Sequence, residues 1–188
     1  MNSINDYIKE NYSEKRRIHT EGVRKTAFRL ASRFGADLAK ADTAALFHDM
    51  FRGRDAGTLN SYVERFGMPS RYLDNPNLSH SKIAAEVMRQ EYGIKDQDIF
   101  NAVSYHTTGR AGMSILEKVI FLADSIEPGR DYPGVKELRD TAEEDIDRAC
   151  LENMDNTLKY LGQQGIEPDK DTVSARDWLH RKIYLKEK

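Results

Sequence analysis

Apolar residues recur every three or four positions along most of the 188-residue chain, a spacing typical of amphipathic helices. No segment combines the alternation of a strand with a paired turn. Ser13 and Gly35 bound a long helix, and Ser79 caps another after a loop rich in Pro and Asn. The predicted helices span about 13–35, 37–50, 58–66, 79–92, 96–106, 114–126, 135–140, 142–161 and 172–184. Without repeats or an evident linker, the sequence predicts a single all-α domain.

Basic and acidic residues are nearly balanced, with 29 Lys and Arg against 31 Asp and Glu. A general nucleic-acid-binding protein carries a basic face, so we expect no nucleic acid partner. The segment MNSINDYIKENY has no basic stretch followed by an apolar one and does not resemble a secretory signal. The longest apolar run, Val119 to Ala123, is far shorter than the roughly 20 residues of a membrane span. We therefore expect a cytoplasmic protein with no membrane partner.

Ionisable side chains follow apolar runs where a core-facing helix would be expected to carry apolar ones. In the segment ALFHDM, residues 45–50, the apolar residues are followed by His48 and Asp49, and the segment VIFLAD ends in Asp124. Burying an imidazole and a carboxylate is costly unless each is hydrogen-bonded, paired or bound to a metal. Taken singly, such a histidine is more often a hydrogen-bonded core or surface residue, and such an aspartate a cap or a solvated charge.

Four of the five histidines lie on different predicted helices, and three of these are near a helix end. At helix ends, side chains from several helices can converge on one pocket. Imidazole and carboxylate together form the ligand set of hard or borderline divalent metals. Cys150 is the single cysteine, so any metal must use His, Asp or Glu. The candidate ligands are His19, His48, Asp49, His80, His106 and Asp124.

The order His19, His48-Asp49, Asp124 resembles the H…HD…D signature of the HD-domain phosphohydrolases, an all-helical metal-dependent superfamily. That signature is loose. Longer segments resemble the bacterial YqeK-like family of symmetrical bis(5'-nucleosyl)-tetraphosphatases, and YHTTGR and ADSIEPGRD are the most specific of them. The likeness extends from about residue 13 to 176. It implies one HD domain over 1–188, with a core at about 13–165 and a C-terminal helical extension at about 166–188. The segments are RRIHTEGV, LFHDM, LSHSKIAAEV, SYHTTGRAGMSILEKVIFLADSIEPGRDYPGV and DTVSAR.

The resemblance implies two divalent ions per chain. Iron is the metal expected for the family, and the ligand types alone do not select it over manganese, cobalt or zinc. Asp49 and Asp124 are also catalytic candidates, because either carboxylate could orient the attacking water. The first ion is expected at His19, His48, Asp49 and Asp124, and the second at His80 and His106, with Asp49 shared.

Arginines near the candidate ligands could bind the phosphates, because the planar guanidinium pairs with phosphate oxygens. Arg16 lies one helical turn before a candidate ligand and is the leading candidate, while Arg52 stands where many HD domains carry Lys. Both are also catalytic candidates. Arg110 and Arg130 follow other ligands, and Thr107 could donate a hydroxyl hydrogen bond. The alternative is that the arginines are solvated and that Thr107 only caps a helix end.

The function implied by the resemblance is hydrolysis of diadenosine tetraphosphate to two ADP by a metal-bridged hydroxide, the work of a phosphoric anhydride hydrolase. Tyr105, Tyr132 and Phe51 are candidates to stack on a purine, although such aromatics are more often core residues. The alternatives are an HD phosphohydrolase of nucleoside mono- or triphosphates, a non-catalytic nucleotide-binding HD module, and a helical adapter with ordinary buried histidines. The sequence leaves a homodimer open.

Overall fold

The structure, a computed structural model, describes residues 3–185. These residues form ten α-helices and a 3₁₀ turn at Ser70–Tyr72, with no strand among them, so the predicted all-α fold is confirmed. The helices are α1 (Ile4–Asn11), α2 (Glu14–Phe34), α3 (Leu38–Phe47), α4 (Ala56–Arg65), α5 (Pro76–Glu91), α6 (Gln97–Tyr105), α7 (Ile115–Ile126), α8 (Val135–Glu144), α9 (Ile146–Gln163) and α10 (Lys170–Tyr184).

Capping side chains fix several helix boundaries where the sequence predicts them. The Ser13 hydroxyl accepts a hydrogen bond from the backbone N–H of Arg16 at the start of α2. Ser114 and Glu117 form a reciprocal capping box at the start of α7. Gly35 ends α2 with φ +76°, a left-handed conformation that favours glycine.

The expectation that Ser79 caps α5 is wrong. The helix begins at Pro76, and the side chain of Asn75 accepts a hydrogen bond from the backbone N–H of Leu78. Proline is favourable at the first helical position because an N–H there would have no partner in the helix. Ser79 is therefore an interior residue of the helix and is buried.

Other helix boundaries also differ from the predicted ones. Helix α1 falls outside the predicted helices, and α3 ends at Phe47, before residue 50. Helix α4 begins at Ala56, because the Asp55 side chain caps it. Asp145 separates α8 from α9, and its side chain accepts hydrogen bonds from the first backbone N–H groups of α9. The predicted break near residues 140–142 is therefore a few residues too early.

Helix α7 lies at the centre of the fold and contacts α2, α3, α6, α8 and α9. Its Ile120 and Leu122 side chains are fully buried, and each such burial contributes about 1.5–3 kcal/mol. Helix α5 packs on α6 and α3. The candidate ligands come from this central group of helices. No helix in the described part of the chain has both the length and the apolar character that crossing a membrane requires.

Candidate metal centre

Five helices deliver the six candidate ligands to one place. His19 lies on α2, His80 on α5 and Asp124 on α7. His48 and His106 are the C-terminal capping residues that directly follow α3 and α6. Asp49 is the next residue, in the turn after α3. The ligand atoms form two groups, each within 4.8 Å: His19, His48 and Asp124, and Asp49, His80 and His106.

Backbone carbonyls hold three of the four histidine rings. Nδ1 of His48 lies 2.7 Å from the carbonyl oxygen of Ala45, and Nδ1 of His80 lies 3.0 Å from the carbonyl oxygen of Pro76. Nδ1 of His106 lies 2.8 Å from the carbonyl oxygen of Val103. Because a carbonyl only accepts, each neutral ring carries its proton on Nδ1. The lone pair of each Nε2 is then available to a metal.

The Nε2 atoms face one another in pairs. Nε2 of His19 and His48 are 3.4 Å apart, and those of His80 and His106 are 3.2 Å apart. Two unprotonated nitrogens cannot hydrogen-bond to each other, so such a pair is stabilised only by a proton or a cation between them. The donor set therefore fits divalent cations of the borderline class.

Asp49 lies between the two groups. Its Oδ2 is 3.8 Å from Nε2 of both His19 and His48. Its Oδ1 is 3.4 Å from Nε2 of His80 and 3.8 Å from Nε2 of His106. One oxygen thus faces each group, which is the arrangement of a carboxylate able to bridge two ions. Asp124 Oδ1 lies 3.1 Å from Nε2 of His19.

The charges around the site favour the metal-binding forms of several ligands. Burial acts to raise the pKa of Asp49, but His48 and His80 together lower it below its ordinary value. Burial has the same effect on Asp124, and hydrogen bonding to His19 together with nearby positive charge holds its pKa well below the ordinary value. Burial and the neighbouring histidines lower the pKa of His106 to about 3. Because metal ligands must be deprotonated, these shifts favour metal binding.

A cavity of about 550 Å³ opens over the ligands. Arg16 lines it, and its Nη1 donates to Asp49 Oδ2 at 3.0 Å. Arg130 lines it as well, and its Nη2 donates to Asp124 Oδ1 at 2.5 Å. Both arginines therefore contact a carboxylate of the site. Asp49 and Asp124 also line the cavity, and the other lining residues are Ser13, Lys15, Ile18, His19, Arg52, His80, His106, Thr107, Glu127, Gly129, Asp131 and Tyr132.

The remaining sequence candidates differ in where the structure places them. Arg52 faces the cavity and donates to Asn77 Oδ1 at 2.9 Å, and Thr107 Oγ1 lies 3.3 Å from Nε2 of His106. Arg110 is not among the residues that line the cavity. Its Nε donates to the buried carboxylate of Glu117 at 2.6 Å, which supplies the counter-charge that this carboxylate needs.

Among the aromatic candidates, only Tyr132 lines the cavity. Phe51 is buried against Tyr62, with ring centroids 4.8 Å apart. Tyr105 lies beneath the ammonium group of Lys82. The structure therefore places two of the three aromatics in packing positions.

Comparison with known proteins identifies the family. The HD domain family matches residues 16–129, which include all six candidate ligands. The symmetrical bis(5'-nucleosyl)-tetraphosphatase of Bacillus subtilis is 43% identical over 92% of this chain and 93% of its own length. The chain belongs to this family of HD-domain tetraphosphatases. The Staphylococcus aureus enzyme of the same name is 35% identical over 92% of this chain and 90% of its own.

A solved structure agrees with this membership. The crystal structure of a predicted HD superfamily hydrolase involved in NAD metabolism, from Clostridium acetobutylicum, superposes with a TM-score of 0.91 at 38% identity. The match covers 95% of this chain and 96% of that one. The predicted family and enzyme class are confirmed, and this HD-domain tetraphosphatase is a metal-dependent hydrolase. The roles of individual side chains stay predictions.

Sequence reasoning missed Glu127, whose Oε1 lies 3.1 Å from Nδ1 of His19. It also missed Lys15 in the cavity lining and Asn77 beside Arg52. The available signal for Glu127 was its place three residues after Asp124, within the specific segment ADSIEPGRD. Lys15 and Asn77 carried no comparable signal, because neither lies in one of the family-like segments.

Proposed function

We propose that the chain hydrolyses dinucleoside polyphosphates symmetrically, with diadenosine tetraphosphate and water giving two ADP. The observation that carries this proposal is the pair of histidine groups on either side of Asp49, beside an arginine-lined cavity. The two relatives named for this activity support the substrate class. In the reaction, water attacks one inner phosphorus, and the bond from that phosphorus to the central bridging oxygen breaks. The bridging oxygen leaves with the other half, so both products are ADP.

We propose two divalent ions per chain, with iron as the first candidate and manganese, cobalt or zinc as alternatives. His19, His48 and Asp124 would hold one ion and His80 and His106 the other, with Asp49 shared. When bound, such a pair lowers the pKa of water and neutralises charge that develops on the phosphoryl group. Because Asp49 and Asp124 border the cavity, their carboxylates would also orient the attacking water.

The charge of the cavity lining indicates how the substrate is attracted. Four basic and four acidic side chains line the cavity, so the protein alone contributes no net charge. Two divalent cations would make the site strongly positive, as a polyphosphate requires. Substrate binding should therefore depend on metal loading. The basic side chains are Lys15, Arg16, Arg52 and Arg130, and the acidic ones are Asp49, Asp124, Glu127 and Asp131.

We assign the phosphate contacts to the lining residues whose polar groups face the cavity. Arg16 and Arg52 are the leading candidates, because their guanidinium groups lie beside the ligand groups and can bind phosphate oxygens in pairs. Arg130 already donates to Asp124, so its first role is to hold that carboxylate. Thr107 would add a hydroxyl donor. Arg110 is left out, because it pairs with Glu117.

Product analysis by chromatography tests the proposal. With diadenosine tetraphosphate and a series of Mn²⁺, Co²⁺ and Fe²⁺, we expect ADP as the sole nucleotide product. His48→Ala and Asp49→Ala should each lower the rate by more than about 100-fold, because outer partners of metal ligands alone affect activity 10–100-fold. His180→Ala is the matched control, since this fifth histidine lies on α10, outside the ligand groups.

Two outcomes would contradict the proposal. ATP plus AMP would show asymmetrical cleavage. Faster hydrolysis of nucleoside mono- or triphosphates, assayed in the same metal series, would show a different substrate class.

A further inference from the structure

His19 differs from the other three clustered histidines in what holds its ring. Their Nδ1 atoms face backbone carbonyls, whereas Nδ1 of His19 lies 3.1 Å from a carboxylate oxygen, Oε1 of Glu127. On the opposite edge of the same ring, Nε2 faces Asp124 and His48. Glu127 therefore lies on the far side of His19 from the candidate ion.

Glu127 is itself held in a fixed place. It follows the last residue of α7, is only 4% exposed, and its Oε2 accepts a hydrogen bond from the backbone N–H of Gly129 at 2.6 Å. The carboxylate also packs against α2 at Gly22, where an added Cβ would lie 2.5 Å from Oε2. A side chain at position 22 would thus displace the carboxylate, which explains why glycine suits this helical position.

Arg139 fixes the backbone that carries this carboxylate. Its Nε donates to the carbonyl oxygen of Ile126 at 2.9 Å. Its Nη2 donates to the carbonyl oxygens of Glu127 at 2.9 Å and Arg130 at 2.7 Å. The loop after α7 is therefore tied to α8 by three hydrogen bonds from one side chain. Both the backbone and the side chain of Glu127 are held while it contacts His19.

We infer that Glu127 is a positioning residue, which holds the His19 ring so that Nε2 points at the cation and strengthens binding of that one ion. A carboxylate behind a metal-binding histidine fixes ring orientation and raises ligand basicity more than a neutral carbonyl does. This inference deepens the proposed function and rests on its metal cofactor. The ion at His19, His48 and Asp124 would thus have a carboxylate behind one of its histidines, whereas both histidines of the other ion are held by backbone carbonyls.

Only a carboxylate satisfies both neighbours of position 127. Each oxygen of Glu127 accepts one hydrogen bond, one from Gly129 and one from Nδ1 of His19. Glutamine offers one oxygen and one NH₂ group, so it must turn a donor toward one of these two donors. If the NH₂ group faces His19, the ring proton moves to Nε2 and blocks the metal. If it faces Gly129, the charge behind the ring is still lost.

The test is titration of the chelator-treated full-length protein with Mn²⁺ alone, followed by electron paramagnetic resonance of free Mn²⁺. In Glu127→Gln we expect one class of ion to bind about 10–100-fold more weakly, while the other class is unchanged. Histidine ¹⁵N spectra of the metal-free protein should also show a smaller population of His19 with its proton on Nδ1. A residue that only supports the fold would move neither quantity selectively.

Glu117→Gln is the matched control, because Glu117 is an equally buried carboxylate at the other end of α7. It should cost stability and leave Mn²⁺ affinity unchanged. A second variant, Gly22→Ala, should weaken the same ion by displacing Glu127, even though alanine favours the helix. Gly162→Ala in α9 is its control, because an added Cβ there meets no neighbouring atom within 4 Å.

Equal Mn²⁺ affinity in the wild type, Glu127→Gln and Gly22→Ala would overturn the inference. A uniform loss for both ions in Glu127→Gln would also overturn it, since it would indicate a general structural defect. These outcomes are independent of the nucleotide products. A protein that binds ions with the expected Glu127 effect but does not cleave diadenosine tetraphosphate would contradict the proposed substrate alone.

Discussion

Three of the clustered histidines are buried and His19 is half-buried, and each ring is oriented by an acceptor at Nδ1. That arrangement offsets part of the cost of burial and directs each Nε2 lone pair into the site, where Nε2 of His106 also lies 3.3 Å from the Thr107 hydroxyl. Asp49 and Asp124 are likewise held, each by an arginine. At the scale of single residues, the site is thus a set of fixed lone pairs directed at a small volume.

Lys82 is a buried cation outside this site. Within the described part of the chain its Nζ has no hydrogen-bond partner, although it lies 3.4 Å from the centroid of the Tyr105 ring. Burial lowers the pKa of Lys82 to about 8. In the unfolded chain the pKa is about 10.4, so at neutral pH folding must bury a charge that burial disfavours.

We expect Lys82→Met to stabilise the protein by about 1–2 kcal/mol at pH 7, because the burial penalty exceeds the cation–π attraction. The folded protein releases the Lys82 proton more readily than the unfolded chain does. Wild-type stability should therefore rise between pH 8 and about 10.4, and the gain from Lys82→Met should shrink over the same window. Urea unfolding at pH 7 and pH 9.5 measures both effects. A Met variant that is less stable at pH 7 would show that the cation–π contact prevails.

The six candidate ligands could be identified from the sequence because they lie in segments that resemble a family and follow apolar runs. Glu127 and Arg110 could not be assigned from the same evidence. Whether an ionisable side chain meets a histidine or another charge depends on which helices touch. Arg110 pairs with Glu117 at the start of α7, and no local sequence pattern predicts that contact.

At the scale of secondary structure, helix ends bring the ligands together. Helix α3 stops at Phe47, and the following turn lets His48 and Asp49 point into one site. Helix α5 begins at Pro76, and the carbonyl oxygen of this first residue faces Nδ1 of His80 one turn later. The start of α5 is therefore part of how the site is built.

Two substitutions test which residue caps α5. Asn75→Ala should lower the free energy of unfolding by about 1 kcal/mol, because it removes the hydrogen bond to the backbone N–H of Leu78. Ser79→Ala should be neutral or slightly stabilising, since the buried Ser79 hydroxyl has no partner among the described residues. Chemical denaturation measures both. The reverse order of the two effects would restore the cap at Ser79.

Helix boundaries could be predicted where a cap precedes a strong apolar pattern, as at Ser13 and Ser114. The predictions of helix boundaries were wrong where the local sequence signal was ambiguous. Helix α1 is only eight residues long, and its Ile4 and Tyr7 side chains are only partly buried against the core, so it offers a short and weak signal. The segment before α5 reads as a loop because of Asn75 and Pro76, although both suit the start of a helix.

At the scale of the whole molecule, the central helix α7 links the metal site to the rest of the core. Helix α10 packs on α9, which in turn packs on α7. That continuity supports the prediction of one domain over 1–188 with a C-terminal helical extension, which stays a prediction. A homodimer likewise stays a possibility that the sequence leaves open. The agreement with the Clostridium acetobutylicum structure extends over 95% of the chain and so includes more than the HD match at residues 16–129.

The metal content of the purified protein tests most directly whether six side chains from five helices hold a pair of cations. After anaerobic purification, elemental analysis of the wild type should give close to two transition-metal ions per chain, with iron foremost. His48→Ala and His80→Ala should each lose metal, whereas His180→Ala should retain both ions. A wild-type protein with only a small fraction of one ion per chain, still unable to bind Mn²⁺ after reconstitution, would contradict the metal centre and favour a helical protein with ordinary buried histidines.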